Sequence, residues 1–384
     1  MLRFCRKSGK RPQVSNKKCP ICRGSKIDLI KINFTSFRHL GFDDFVKRAA
    51  VGRCMDCQML INILTPARER KLTRIYQSLD YAQGKITGQT YLVKDYDKRV
   101  TRSFLQAEIL QKYLNDNEQT KVLDVGCFNG ELLIELSQRF PKARFHGFDV
   151  NKYLKAIFPS AKNFTFWQST LDRIEGKFDL ISMSCSMGYI KDINGLFRNI
   201  RRLLKPKGLL FIQINDIVSN PYSILLADQY FYFTPRILKN ILSKAGFNFT
   251  LLENNWFPRD ILGIAKLTGD EQSGHFEEDL NIYQTVDHLN EIKKKLQLIA
   301  NRTRLCVLGT TATAAFVDSI LGDRIHCFVD ENMLHMEAHF RGKRVIHPRS
   351  LNGSCCLILP YGSANKAIKK RFSDAYNLKD FQLI

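Results

Sequence analysis

Four cysteines near the start of the chain are spaced to do chemistry together. Cys19-Pro-Ile-Cys22 and Cys54-Met-Asp-Cys57 are two Cys-x-x-Cys knuckles separated by 31 residues. Each knuckle presents two thiolates to one tetrahedral ion, so Cys19, Cys22, Cys54 and Cys57 are expected to hold zinc. A site closed by four protein ligands is a folding element and not a catalyst. The alternative is two unrelated pairs of buried cysteines.

A second constellation begins at Lys121. Val122-Leu-Asp-Val-Gly-Cys-Phe-Asn-Gly130 reads as a buried strand and a glycine-containing turn, followed by a helix from Glu131 to Phe140. Arg144–Val150 reads as the next strand, with Asp149 at its tip, 25 residues after Asp124. A carboxylate there can accept both hydroxyls of a ribose, which implies a nucleoside cofactor. Gly126 and Gly130 let the main chain approach such a ligand. The turn lacks the three-glycine spacing expected for a pyrophosphate, so S-adenosylmethionine is favoured over NAD.

These residues need elements to position them. Residues 1–65 form an expected basic zinc-binding domain, in which the alternating Ile27–Phe37 segment supplies strands that bring the knuckles together. Residues 66–115 are a helical connector, with Tyr81–Tyr96 as a loop able to cover a neighbouring pocket. Residues 116–270 alternate strands with helices, and a doubly wound parallel sheet follows, closed by an antiparallel pair at 247–253 and 261–266. Beyond a polar, acidic boundary at 268–280, residues 271–384 begin another strand–turn–helix–strand unit, with Gly309 in its turn and Asp330 after its second strand.

The chain has 384 residues, 44% of them hydrophobic and 27 of them Phe, a composition that folds into two or three domains. Its 59 Lys+Arg against 37 Asp+Glu give a net charge of +22, and residues 1–75 hold 18 basic and 5 acidic residues. Anionic partners are expected, nucleic acid among them. The first eighteen residues, with seven Lys/Arg and no acid, read as a tail. No apolar run approaches a transmembrane segment, no signal peptide is evident, and eleven cysteines in a large chain favour reduced thiols, so a cytoplasmic location is expected.

The order of parts resembles the sugar C-methyltransferase family of deoxysugar biosynthesis, which joins a four-cysteine zinc domain, a class I S-adenosylmethionine-dependent core and a C-terminal Rossmann-like domain. Val122–Leu133 resembles the family's cofactor loop, Leu203-Leu-Lys-Pro-Lys-Gly208 the turn before its fifth strand, and Phe233-Thr-Pro its helix start. Ile346-His-Pro and Leu359-Pro-Tyr resemble its last domain. The resemblance implies that Gly126, Cys127, Asn129, Gly130 and Ser186 line the cofactor. Asp149 would hold the ribose, and Asp124 would orient the loop or the cofactor's ammonium.

The chain departs from the family where a proton must be removed. The family's His-Glu-His run falls on Ala227-Asp-Gln229, its Glu near the end of the fifth strand on Gln213, and its His after the fourth strand on Tyr189. Abstracting a carbon-bound proton demands a positioned base, whereas a hydroxyl acceptor demands less. The expected function is therefore methyl transfer from S-adenosylmethionine to oxygen or carbon of a nucleotide-linked sugar, glycan or other small molecule. Asp228, Tyr230, Tyr222 and His326 are the candidate bases. An rRNA methyltransferase and a non-catalytic cofactor-binding scaffold are the competing readings.

Overall fold

The structure, a computed structural model, describes residues 14–15, 18–38, 42–47, 49–83, 90–93, 98–168, 170–253, 255–268, 276, 278–302, 304–332, 339–351 and 355–384. Most of the basic tail and of the 268–280 boundary lies outside the described residues.

The central sheet has seven strands: β1 (Lys121–Val125), β2 (Arg144–Phe148), β3 (Phe164–Trp167), β4 (Phe178–Ser184), β5 (Leu204–Asn215), β6 (Phe247–Leu251) and β7 (Asp260–Leu267). Their spatial order is 3-2-1-4-5-7-6, parallel except that β7 runs antiparallel to both β5 and β6. The expected doubly wound sheet and closing antiparallel pair are both present. Order reverses between β1 and β4, and open α/β sheets bind ligands outside the carboxyl ends of strands at such a switch point.

Because side chains alternate across a strand, each face of the sheet has its own core. Leu123, Val125, Ile181, Met183, Leu210, Ile212 and Ile214 pack on one side, together with residues of the N- and C-terminal units. Val122, Leu180, Phe211 and Leu262 pack on the other, against helices Arg102–Leu110 and Glu131–Arg139. Asp124 and Ser182 share this second face by parity, as do Ser184 and Gln213, so it carries a row of polar groups near the carboxyl ends of the strands.

The N-terminal unit is a second sheet. Strands Ile27–Ile32, Ala49–Cys54 and Leu60–Asn62 pair antiparallel in succession, and the last of them pairs with Phe231–Tyr232 from the central unit. The Tyr81–Tyr96 loop expectation is corrected where residues are described: helix Leu79–Gln83 extends into it, and Thr90–Val93 pairs with Lys98–Thr101 as a hairpin. The β-branched and aromatic run Thr90-Tyr-Leu-Val93 accounts for that strand. Gly84 and Gly88 lie outside the described residues.

The C-terminal unit is a six-stranded sheet around Leu305–Leu308, which lies parallel to both Ile325–Val329 and Cys356–Leu359. Phe316 on its helix Ala312–Leu321 meets Phe34 of the N-terminal unit edge to face at 5.2 Å. Arg341 joins the same two units. Its guanidinium donates to Asp318, Asp44 and the Phe42 carbonyl, each at 2.7 Å, and lies 5.1 Å from the centre of the Phe37 ring.

Candidate active site

The turn after β1 is built by backbone bonds and two left-handed glycines. Gly126 and Cys127 donate to the Phe148 carbonyl, which ties the turn to the end of β2, and Gly130 donates to the Cys127 carbonyl. Gly126 has φ of +79°, and a Cβ there would lie 2.5 Å from the Cβ of Ser186, whose hydroxyl donates to the Val125 carbonyl. Ser186 therefore closes over the turn from the far side of the switch point. Gly130, with φ of +81°, starts helix Glu131–Arg139, and Asn129 accepts from the Glu131 N–H. The buried Cys127 lies beneath the turn, its sulfur 2.7 Å from where a Cβ on Gly147 would stand.

Replacing Gly126 with Ala is expected to destabilise the fold by about 2 kcal/mol or more, because strain at positive φ adds to the collision with Ser186. Thermal denaturation reads this as a lowered Tm, and an unchanged Tm would mean that Ser186 does not close over the turn.

Two carboxylates stand at this turn. Asp149 is fixed by the N–H groups of Phe128 at 3.2 Å and Asn151 at 3.0 Å. Burial pushes its carboxyl upward against those bonds. Asp124 is buried and accepts from the Ser182 hydroxyl at 2.7 Å. Burial pushes its carboxyl up to about 7, with Asp149 adding to the rise and Ser182 opposing it.

Asp228 is 1% exposed and accepts from the Tyr76 hydroxyl at 2.6 Å. Tyr76 ends the connector helix Pro66–Tyr76 and lies edge to face with Tyr81 at 5.1 Å and with Tyr189 at 5.4 Å. Tyr81 in turn meets Phe128 of the β1 turn at 5.9 Å. Burial raises the Tyr76, Tyr81 and Tyr189 phenols well above their ordinary range, and the charge of Asp228 adds to each, which keeps them as hydrogen-bond donors at neutral pH. The buried Asn151 fixes the end of the helix by donating to the carbonyls of Tyr76 and Ser78, both at 2.8 Å. A carboxylate, three phenols and the β1 turn are thus brought into one cluster.

The N-terminal unit holds the segment that carries Asp228. The buried amide of Asn62 donates to the carbonyls of Ala227 at 2.9 Å and Gln229 at 2.7 Å, and Ala227 donates to the Phe37 carbonyl. Asp228 is flanked on both sides by bonds to this unit.

The other candidate bases fall elsewhere. Tyr222 is buried, donates to the Pro360 carbonyl at 3.2 Å and packs on Phe316, so its contacts run to the C-terminal unit. Tyr230 is half-buried, with Glu69 and Lys191 as its charged neighbours, and its backbone pairs with Gly188 and Asn62. His326 is an exposed position of strand Ile325–Val329.

Two of the three positions that depart from the family pattern touch each other, since Gln229 donates to the Tyr189 hydroxyl at 3.3 Å. The third, Gln213, is fully buried. It accepts from Gln106 and donates to Asp260, both at 2.6 Å, and Gln106 also donates to Ser184. Sequence reading missed Gln106, Tyr76, Tyr81 and Asn151: the first two lie in segments whose helical periodicity carries no chemical signature, Tyr81 in a stretch read as a loop, and Asn151 in the turn after Asp149.

The four knuckle cysteines converge as expected. Cys19 and Cys57 sulfurs lie 3.6 Å apart, those of Cys22 and Cys54 3.5 Å, and all four fall within 4.8 Å of one another. Ions bound at about 2.3 Å by four thiolates separate the sulfurs by roughly 3.8 Å, so this donor set fits a tetrahedral metal. The N–H groups of Ile21 and Gly24 point at the Cys19 and Cys22 sulfurs, each at 3.4 Å, and such bonds orient thiolate ligands.

The family model described as a methyltransferase domain matches residues 96–252, the span that holds β1–β6, the glycine turn, both cradle carboxylates and Asp228. Over this span the chain is similar to methyltransferase domains. The chain is similar to trans-aconitate 2-methyltransferase of Deinococcus radiodurans, at 30% identity over 110 residues, 28% of this chain and 43% of that protein. It is also similar to malonyl-[acyl-carrier protein] O-methyltransferase 2 of Ilyobacter polytropus, at 26% identity over 124 residues, 30% of this chain and 48% of that protein. The chain thus spans a little under half the length of these curated relatives. Human N-acetylserotonin methyltransferase, solved in complex with S-adenosylmethionine, superposes with a TM-score of 0.40 at 18% identity, covering 53% of this chain and 60% of that one. The sugar-specific and metal-binding parts of the expectation fall outside what the methyltransferase domain match covers.

Proposed function

We propose that the chain transfers the methyl group of S-adenosylmethionine to a nucleotide-linked sugar, glycan or similar small acceptor, with Asp228 as the general base. One observation carries this reading: a buried carboxylate, held by a phenol, stands in the aromatic cluster that reaches the β1 turn. The sulfonium of the cofactor supplies an activated methyl group. What the protein adds is orientation of the acceptor and removal of its proton. Asp149 takes the ribose hydroxyls, and Asp124 faces the cofactor's ammonium.

Oxygen is the favoured acceptor atom. Tyr189 and Gln229 occupy positions where the resembled family has histidines, and Gln213 occupies that of its glutamate. An alcohol gives up its proton as the methyl arrives, so one carboxylate suffices where carbon acid chemistry asks for a more basic group. Cys19, Cys22, Cys54 and Cys57 hold a structural zinc, and the C-terminal unit forms part of the acceptor cleft.

Incubation with isotopically labelled S-adenosylmethionine and a panel of nucleotide-linked sugars and free glycans tests the reading. Label on a sugar oxygen is expected. Label on carbon would overturn the choice of atom, and no transfer to any member would overturn the acceptor class.

The pH dependence of cofactor affinity follows from Asp124. Its folded carboxyl lies above the ordinary 3.8, so the fold favours the protonated form, and stability declines as pH rises from about 4 towards about 7. A cationic ammonium favours the ionised form. Calorimetric affinity for S-adenosylhomocysteine is therefore expected to rise as pH increases through about 7, by up to about tenfold per unit on the acid side. Asp124→Asn should flatten the profile, and a steep profile surviving in that variant would remove Asp124 from this role.

A further inference from the structure

The outer surface beside the candidate site carries apolar side chains where charged ones would be expected. Leu79 is 44% exposed, Val150 55%, Tyr153 38% and Ile157 50%. Three of them lie on the turn that follows β2, around the short helix Lys152–Ala156, whose Leu154 points inward and is buried. Leu79 opens helix Leu79–Gln83, which packs against that turn. Asn151 pins the two together through the carbonyls of Tyr76 and Ser78, which places Leu79 beside the turn that carries the other three exposed apolar residues.

Charge on this face has one dominant sign. Between Asp149 and Asp172 the chain has Lys152, Lys155 and Lys162 and no acidic residue. All three lysines are exposed, and the Lys152 ammonium lies 5.0 Å from the centre of the Tyr153 ring. Helix Pro66–Tyr76, which precedes Leu79 in the chain, carries exposed Arg70 and Arg74, while its Lys71 ammonium turns to the Phe45 ring at 5.7 Å and Asp80 is the exposed acid beside Leu79.

We propose that this face docks on an anionic lipid surface, with Leu79, Tyr153 and Ile157 entering the boundary between headgroups and acyl chains, and with the lysines on the headgroup phosphates. Aliphatic side chains set among lysines suit such a boundary, because the hydrocarbon gains from burial while the ammonium groups stay at the charged layer. A nucleic acid backbone would use the lysines and leave the aliphatic side chains unused. Among the described residues no helix is long and apolar enough to cross a membrane, so the contact is peripheral. Tyr81, on the same helix as Leu79, lies against Phe128 of the β1 turn, so docking brings the lipid surface to the outer wall of the site. The inference concerns this outer surface and does not depend on which acceptor is methylated.

Co-sedimentation of the full chain with vesicles tests it, in the presence of saturating S-adenosylhomocysteine so that any cofactor contact with Val150 is already made. Vesicles of phosphatidylglycerol and phosphatidylcholine are expected to carry the protein down at low salt, while phosphatidylcholine alone carries about tenfold less. Ile157→Glu and Leu79→Glu should each lower binding to the anionic vesicles about tenfold. Circular dichroism and thermal melting check that both variants stay folded. Absence of vesicle binding, equal binding to neutral vesicles, or binding indifferent to both substitutions would overturn the proposal. Light scattering that shows a dimer dissolved by Ile157→Glu would do the same, because it would give the face to a second copy of the chain.

Discussion

Cys54→Ser is expected to leave a protein that has lost both its metal and its turnover while keeping a folded central sheet. The proposed zinc would tie Cys19, Cys22, Cys54 and Cys57 together across two knuckles 31 residues apart, in addition to the strand pairing beside them, and structural zinc in small thiolate sites contributes about 10–16 kcal/mol to folding. Cys54 ends the strand that pairs on both sides within the N-terminal sheet. When that sheet loosens, Phe231–Tyr232 lose their partner strand, and the carbonyls on either side of Asp228 lose Asn62. Metal analysis, limited proteolysis and calorimetry with S-adenosylhomocysteine separate the parts. Metal gone, N-terminal cleavage accelerated and cofactor affinity retained is the expected pattern. Full turnover in metal-free protein would show that the cysteines do not support the site. Asn62→Leu should reproduce the loss of turnover with metal retained, because it removes only the two bonds to the Asp228 segment.

Asp228→Asn is expected to slow methyl transfer by about 10²–10⁴-fold, the range over which a positioned base contributes. The substitution is nearly isosteric, and the amide oxygen can still accept from Tyr76, so affinity for the cofactor and the melting temperature should change little. Single-turnover rates with labelled donor measure the effect. A rate within threefold of the parent would move the proton acceptor elsewhere, to solvent or to the substrate itself. Tyr76→Phe gives the companion measurement: it leaves the carboxylate but removes the phenol that donates to it, and the rate should fall by about tenfold with the pH profile displaced.

Much of the fold could be read from the chain because its strands and helices are strongly patterned. Val122–Val125, Phe178–Ser184 and Gly208–Asn215 are apolar runs of a length that suits buried parallel strands, and Gly126, Gly130 and Asp149 stand at the offsets their conformations require. The knuckles were equally legible, since thiol pairs at this spacing have few other uses in a reduced chain. The acceptor side was less so. Asp228 stood out through comparison with a family pattern, but its partner Tyr76 is 152 residues away in a helix with no distinguishing composition. Gln106 and Asn62 are polar residues buried by tertiary contacts that no local periodicity reveals. Tyr222, another candidate base, makes contacts that the sequence did not reveal: its hydroxyl donates to the Pro360 carbonyl and its ring packs on Phe316.

The pairing of Leu60–Asn62 with Phe231–Tyr232 has a practical bearing on how this protein can be taken apart. A fragment cut to the matched span of residues 96–252 would begin after its own edge partner and would uncover Phe231 and Phe233, both otherwise enclosed. An unpaired strand edge beside bared aromatic rings invites intermolecular pairing. Such a fragment should aggregate more readily than the 384-residue chain, because trimming towards the recognisable module would discard the strand that covers its edge.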